Sequence, residues 1–515
     1  MISSEKKILS YKEWEESAIE RHDLYNFEAK IDYTTSETIK KKKTSYYLEL
    51  YFFIPEALQI NSESYNKDQF FLDLNNRIRF KTPQMSIEGI INEENELSPI
   101  NRILENLKKI EFGKITNKIK TRIEREIRLL SCIIKVILRD QINYLIKNHQ
   151  SLKHKCDLNK VVGEYLTSLI LFQEKITYLM GKFAKAQIPF KVREAFQFAV
   201  EYLSIQIEKW ITLVIENLGN EFNEDIQKKL IEIVEYEQER RKNLSKRSII
   251  KKNTSNEIYS YYKGILKKYV QGVLYLEKRK KNPKSTSTQI LYSIAEAIAM
   301  FLSLFLGFIL LTNFVEYSLP FITFAVVIYM LKERIKDNAK AISDKALGLV
   351  FPDKRHEIVD QFYQKRIGIS KEKVSFVNWE DIPSEILKIR RSSNESPLEE
   401  KGKPEKVVFY NQKIALHNRE IDKIHTRKHD LSNIIRFNIR SFLKYMDDPK
   451  EFEFHWDKNT KKVKDICISN VYHINVVNKL TSFKGTEQEE IDYDKFRVIL
   501  DQKGIKRVEE PQFSI

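Results

Sequence analysis

The sequence predicts an α+β protein held by a two-helix transmembrane hairpin, and three observations point there. Residues 290–331 form one long apolar run, residues 98–289 keep a helical apolar period, and strand-forming segments cluster near both ends of the chain. Five segments follow: a β-containing N-terminal region, 1–97, with a β-hairpin; a cytosolic helical bundle, 98–289; the hairpin, 290–331; a helical stalk and linker, 332–405; and a mixed antiparallel α+β domain, 406–515.

The apolar run is mostly Leu, Ile, Phe, Val and Ala, with Glu296 and Glu316 its only acids. A spanning helix takes about 20 apolar residues, so the run is too long for one helix and right for two. Thr312, Asn313, Glu316, Ser318 and Pro320 mark the polar turn between them. Lys278, Arg279, Lys280, Lys281 and Lys284 precede the run, and Lys332, Arg334, Lys336 and Lys340 follow it. Lys and Arg at helix ends favour the cytoplasmic side, and a hairpin returns the chain to the side it left. The expected location is a membrane, multi-pass with both termini cytoplasmic, in a bacterial inner membrane. A buried hairpin in a soluble protein is the alternative, but it leaves the two basic flanks unexplained.

Within the first helix, Glu296, Ala299, Ser303 and Gly307 recur at three- and four-residue spacing. Small residues on one face let helices approach closely, so this stripe should pack on the second helix or on a second copy. Glu296 lies about 9 Å from the start of the helix, where a carboxylate reaches the headgroups; an intramembrane ion or proton site is the other reading.

Toward the N-terminus, residues 26–35 and 44–54 flank a polar stretch and read as a β-hairpin closed by Pro55, with a further strand near 78–81. Lys40, Lys41, Lys42 and Lys43 fall at its tip, as a solvated loop or a lipid or nucleic-acid contact. In the bundle, Ile115, Ile119, Ile123, Ile127, Leu130, Ile134, Ile137 and Leu138 make one helical stripe. Val161, Tyr165, Leu169, Phe172, Ile176 and Leu179 make a second. Pro189 opens a third helix carrying Phe196, Val200, Leu203, Ile207, Trp210 and Val214. A fourth runs over 224–244, and the basic segment 240–252 is either a membrane-facing patch or a solvated surface. A last helix, 256–276, leads to the apolar run.

Beyond it, helical character persists to about residue 349 and then loosens into a polar, proline-bearing linker, 391–404. The C-terminal segment reads as a strand over 407–416, a helix over 431–446, a hairpin in which Phe452, Phe454 and Trp456 alternate with Glu453 and His455, and strands over 471–480, 496–500 and 505–508.

Chemistry-bearing patterns are sparse. His425 and His429, four apart and followed by Asp430, would share a helix face as weak metal ligands, although Arg427 and Lys428 between them repel a cation. Arg436, Arg440 and Lys444 make a cationic stripe on the expected helix, an anion contact or a solvated face. The chain contains no GxxxxGK[ST], GxGxxG or GxSxG. Cys132, Cys156 and Cys467 lie far apart in odd number, which fits a reducing compartment better than a disulfide framework. The formal charge of +16 suits anionic lipid or nucleic acid without choosing between them.

The sequence thus points to a membrane-anchored cytoplasmic interaction, sensor or effector protein without evident catalysis and without a cofactor. Its expected partners are the lipid bilayer and either a second copy or another membrane or cytosolic protein; nucleic acid has no specific support. A membrane-tethered enzyme acting on a phosphate-bearing substrate and an oligomeric pore or membrane-perturbing effector are the alternatives.

Overall fold

A computed structural model describes residues 19–33, 43–155, 158–185, 188–281, 285–313, 315, 318–392, 405–425, 427, 430–484 and 489–513. It is a mixed α+β structure whose sheets are antiparallel. Strands β1 (Ile19–Arg21), β2 (Asn26–Tyr33), β9 (Leu431–Asn438) and β4 (Leu74–Phe80) form a four-stranded sheet in that order. An eight-stranded sheet runs β14 (Gly504–Glu509), β13 (Glu490–Asp501), β12 (Tyr472–Ser482), β3 (Thr44–Pro55), β8 (Glu405–Leu416), β7 (Lys365–Val377), β6 (Lys354–Asp360), β5 (Leu276–Lys280). A separate ribbon pairs β10 (Lys450–Asp457) with β11 (Lys462–Ser469), as the alternating aromatics suggest, and leaves Phe452, Phe454 and Trp456 exposed.

Aromatic rings fill the space between the two larger sheets. Phe437 of the smaller sheet lies 5.1 Å from Phe52 of the larger, and Phe27 lies 5.7 Å from Phe496. Phe70, from the helix Lys67–Asp73, touches Phe52, Phe437 and Tyr410. Rings at these separations contribute beyond the area they bury, by about 0.5–1.5 kcal/mol per pair. The sheets also meet at their edges. Arg79 bridges to Tyr275 on one side; on the other, the Ile505 N–H donates to the Leu24 carbonyl at 2.7 Å.

This pairing changes two expectations. The strands β2 and β3 exist but do not form a hairpin with each other: β2 pairs with β1 and β9, whereas β3 pairs with β8 and β12. The chain switches sheets between them. The N-terminal strands are also interleaved with those of residues 406–515, so the two regions share both sheets rather than standing apart.

The segment 431–446 is the clearest departure. It forms strand β9 and then a 3-10 turn, Arg440–Tyr445, not a helix. Strand β9 lies between β2 and β4 and is buried on both faces, which gives an apolar run that resembles a helical stripe when read alone. Strands β6 and β7 likewise occupy the region where regular structure was expected to loosen. The helix before the apolar run ends at Gln271, and β5 intervenes.

The bundle follows its periodicity. The helix Asn117–Lys155 packs along Phe190–Leu218, which packs on Glu224–Leu244. Ile123, Ile127, Leu130, Ile134, Leu138, Leu169, Phe172, Ile176 and Leu179 are buried, and Phe183 stacks on Phe196 at 4.0 Å. Ile115 stays exposed because the helix starts only at Asn117.

Candidate functional site

The helices Ser285–Asn313 and Leu319–Val350 are inserted between two paired neighbours, β5 and β6. Lys280 pairs with His356, and the Lys281 N–H donates to the Arg355 carbonyl at 2.9 Å. The helical insert therefore leaves and re-enters the sheet at one place. Asp353 fixes the return: one carboxylate oxygen accepts from Lys67 Nζ at 2.9 Å and the other from the Val374 N–H at 2.9 Å.

Below this exit lies a buried polar cluster. Glu372 accepts from Lys278 Nζ at 3.0 Å and from Ser370 Oγ at 3.1 Å, and His356 Nδ1 lies 3.6 Å away. Burial alone would raise the Glu372 pKa, but the Lys278 charge and the His356 contact hold its carboxyl well below the usual range. The chain continues from Gln412, which donates to Ser370, to Asn433, which donates to Gln412 at 2.7 Å and to Tyr33 at 2.9 Å. Polar groups removed from water must find partners of this kind, and here they tie β5, β7, β8, β9 and β2 together.

Among the described residues, Tyr292–Asn313 alone is long and apolar enough to cross a membrane. At about 1.5 Å per residue it spans about 33 Å, against a hydrocarbon core of about 30 Å. Only 17% of its most apolar window is buried, unlike the core helix of a soluble protein. The second helix falls short of the expected second span, since Lys332, Glu333 and Arg334 interrupt it after Leu331. Its uncharged part covers roughly 20 Å.

The two helices pack on each other through Ala295, Ala299 and Leu310 on the first, with Ser303 and Gly307 half-buried along the same face. A Cβ at Gly307 would meet nothing within 4 Å, so Gly307 is not a point of close approach. Glu296 is exposed beside this face, 3.6 Å from Lys336 Nζ. Glu316 lies outside the described residues.

The other sequence-selected residues are dispersed. His425 is buried after a short helix, with Nε2 3.0 Å from Asp360 Oδ2 and Nδ1 against the Arg125 guanidinium. Burial and then Arg125 depress its pKa, overriding Asp360. Arg427 pairs with Glu126 at 2.7 Å on the same cluster. A guanidinium against the ring disfavours a cation there, and His429 lies outside the described residues. The backbone carbonyl of Asp430 accepts from Lys81 N–H at 2.7 Å. Among the described residues no group of three His, Cys, Asp or Glu is placed to hold a metal.

The expected stripe of Arg436, Arg440 and Lys444 does not form, because no helix carries it. Arg436 sits on β9 paired with Glu28, Arg440 lies over the Tyr25 ring at 4.3 Å, and Lys444 is exposed beside Tyr445. Arg240 and Arg241 are buried rather than membrane-facing: Arg240 pairs with Glu237 at 3.1 Å, and Arg241 with Glu208. Of the lysine run, only Lys43 is described, and it is exposed.

No protein-family model, curated protein or solved structure matches the chain.

Proposed function

We propose that the protein is a membrane-anchored interaction, sensor or effector protein without evident catalysis, whose folded body works at the cytoplasmic face of a bilayer. The observation that carries this reading is the insertion of an exposed apolar helical pair between two hydrogen-bonded strands of one sheet. An insert rooted in this way needs an apolar environment for its outer surface and leaves every other element on one side. On this reading the bilayer is one partner, and the outer helix faces are available to a second copy or to another membrane protein.

The Glu296–Lys336 pair marks the inner boundary of the hydrocarbon. Beyond it, the first helix continues for roughly 25 Å to Asn313. The shorter second helix matches this depth if Lys332 and Arg334 reach back toward the headgroups along their aliphatic stems. Exposed Arg334, two residues from Lys336, would gain about 1 kcal/mol next to anionic lipid.

Fractionation tests the reading. Membranes washed at high salt and then at alkaline pH should retain the chain, and detergent should release it. Full recovery in the aqueous wash would reject it.

A further inference from the structure

Among the described residues, β10 and β11 pair only with each other, and every residue in these two strands except Asp457 is exposed. A two-stranded ribbon is marginal in water, so a surface that covers one of its faces would stabilise it. Residues opposite each other in an antiparallel pair share a face. Phe452 stands opposite Cys467, Phe454 opposite Asp465 and Trp456 opposite Val463, which makes this face apolar toward the turn, with Asp465 its one acid. Phe454, Trp456 and Val463 are 82%, 55% and 59% exposed, and contiguous apolar surface of this kind marks an interaction site.

Charge is sorted along the ribbon. Over residues 450–469 five lysines stand against Glu451, Glu453, Asp457 and Asp465, so the total is close to balance. From residue 456 to 464, however, four lysines meet one acid, Asp457, which Lys464 engages. Lys458, Lys461 and Lys462 are exposed around the turn, while Glu451 and Glu453 lie near the root on the opposite face.

The ribbon and the helical pair leave the same end of the eight-stranded sheet. The direction from Leu276 to Lys280 on β5 matches Asp360 to His356 on β6 and Lys365 to Ser370 on β7, so the chain enters the helices heading toward the Val377 end. Val377 pairs with Val407, Val407 with Phe53 and Phe53 with Asn475. The ribbon joins β12 just before that residue, at Tyr472. Five strand spacings, about 24 Å, separate the two exits.

We propose that the turn end of the ribbon docks on an anionic bilayer surface beside the helical pair, which rests on the membrane-anchored reading of those helices. Phe454, Trp456 and Val463 enter the interface, and Lys458, Lys461 and Lys462 meet the phosphate headgroups. Aromatic rings settle at headgroup level, and lysines are drawn to an anionic leaflet. Cys467, nearer the root, stays in water.

The test uses the full chain carrying Cys156→Ser, Cys467→Ser and Val463→Cys, with an environment-sensitive fluorophore on residue 463. It is reconstituted in vesicles of phosphatidylcholine, alone or mixed with phosphatidylglycerol. In the mixed vesicles the emission should shift to the blue and be quenched by spin-labelled lipid, and quenching should be severalfold weaker in phosphatidylcholine alone. Lys461→Glu with Lys462→Glu should remove the dependence on phosphatidylglycerol, and Phe454→Asp with Trp456→Asp should abolish the shift. Both variants should stay in the membrane through an alkaline wash, and because these side chains are exposed the thermal melt should not change. Water-like emission in the mixed vesicles, or quenching indifferent to both variants, would overturn the proposal while retention through the wash left the anchored reading standing. A blue shift that spin-labelled lipid does not quench would also overturn it, assigning the face to a protein such as a second copy. Loss of the chain in the wash would overturn the anchored reading and the proposal with it.

Discussion

Lys281 donates its backbone N–H to the carbonyl of Arg355 at 2.9 Å, so the residues that bracket the helical pair are hydrogen-bonded neighbours. The sheet needs nothing from the insert to bring β5 and β6 together. Replacing residues 285–350 with a short Gly/Ser linker should therefore leave a folded protein, since antiparallel neighbours close through loops of about 2–5 residues. The shortened chain is expected in the soluble fraction without detergent, with a cooperative melt. Aggregation or loss of cooperativity would mean that the helices hold the sheet together.

The same topology predicts that residues 406–515 do not fold alone. Strands β8 and β12 of that segment are not adjacent; β3 lies between them, and β9 lies between β2 and β4. An isolated fragment loses these central partners and exposes long strand edges. Poor amide dispersion and a non-cooperative melt are expected, and a sharp melt of the fragment would contradict the interleaved sheets.

The cluster around His425 predicts an acid-sensitive body. The folded His425 pKa is depressed, so below about 6.5 the unfolded chain binds the proton more readily and stability falls as pH drops. Asp360, also held below its usual value despite burial, through His425 and the Tyr363 N–H, adds a loss in the same direction at lower pH. The melting temperature should decrease between pH 7.5 and 5.5, and His425→Gln should reduce that decrease. An equal pH slope in wild type and variant would remove His425 as its source.

Cysteine reactivity tests the packing of the bundle. Burial pushes the Cys132 thiol up to about 12, whereas Cys467 is exposed on the β10–β11 ribbon. At pH 7.5 an alkylating reagent should modify Cys467 in the native protein and reach Cys132 only after denaturation. Comparable rates at the two sites, measured by peptide mass spectrometry, would show that the helix Asn117–Lys155 is not packed as described.

Local pattern carried much of this structure. The bundle stripes from Ile123 to Val214 were legible because each helix buries one face, and β3, β8, β10, β12 and β14 were legible from their strand formers. Partnering was not. The neighbours of β3 are β8 and β12, hundreds of residues downstream, and no short-range period encodes that choice. Strand β9 was misread because both its faces are buried, and β6 and β7 were missed because Lys354, Arg355, Glu357, Lys371 and Lys373 obscure their alternation. The same limit hid the buried polar chain from Glu372 through Ser370, Gln412 and Asn433 to Tyr33, whose members belong to separate segments until the strands bring them together. Arg240 and Arg241 are buried for two reasons: Glu237 stands three residues before Arg240 on the same helix, whereas Glu208 comes beside Arg241 only in the fold.

The most direct measurement concerns Val315, in the turn between the two helices. A Val315→Cys variant in intact cells should react with a membrane-impermeant maleimide added outside, while the native Cys467 reacts only after permeabilisation. Protection of the residue-315 thiol until the membrane is opened, or equal labelling of both thiols in intact cells, would contradict a pair of helices that crosses the bilayer from one side and returns.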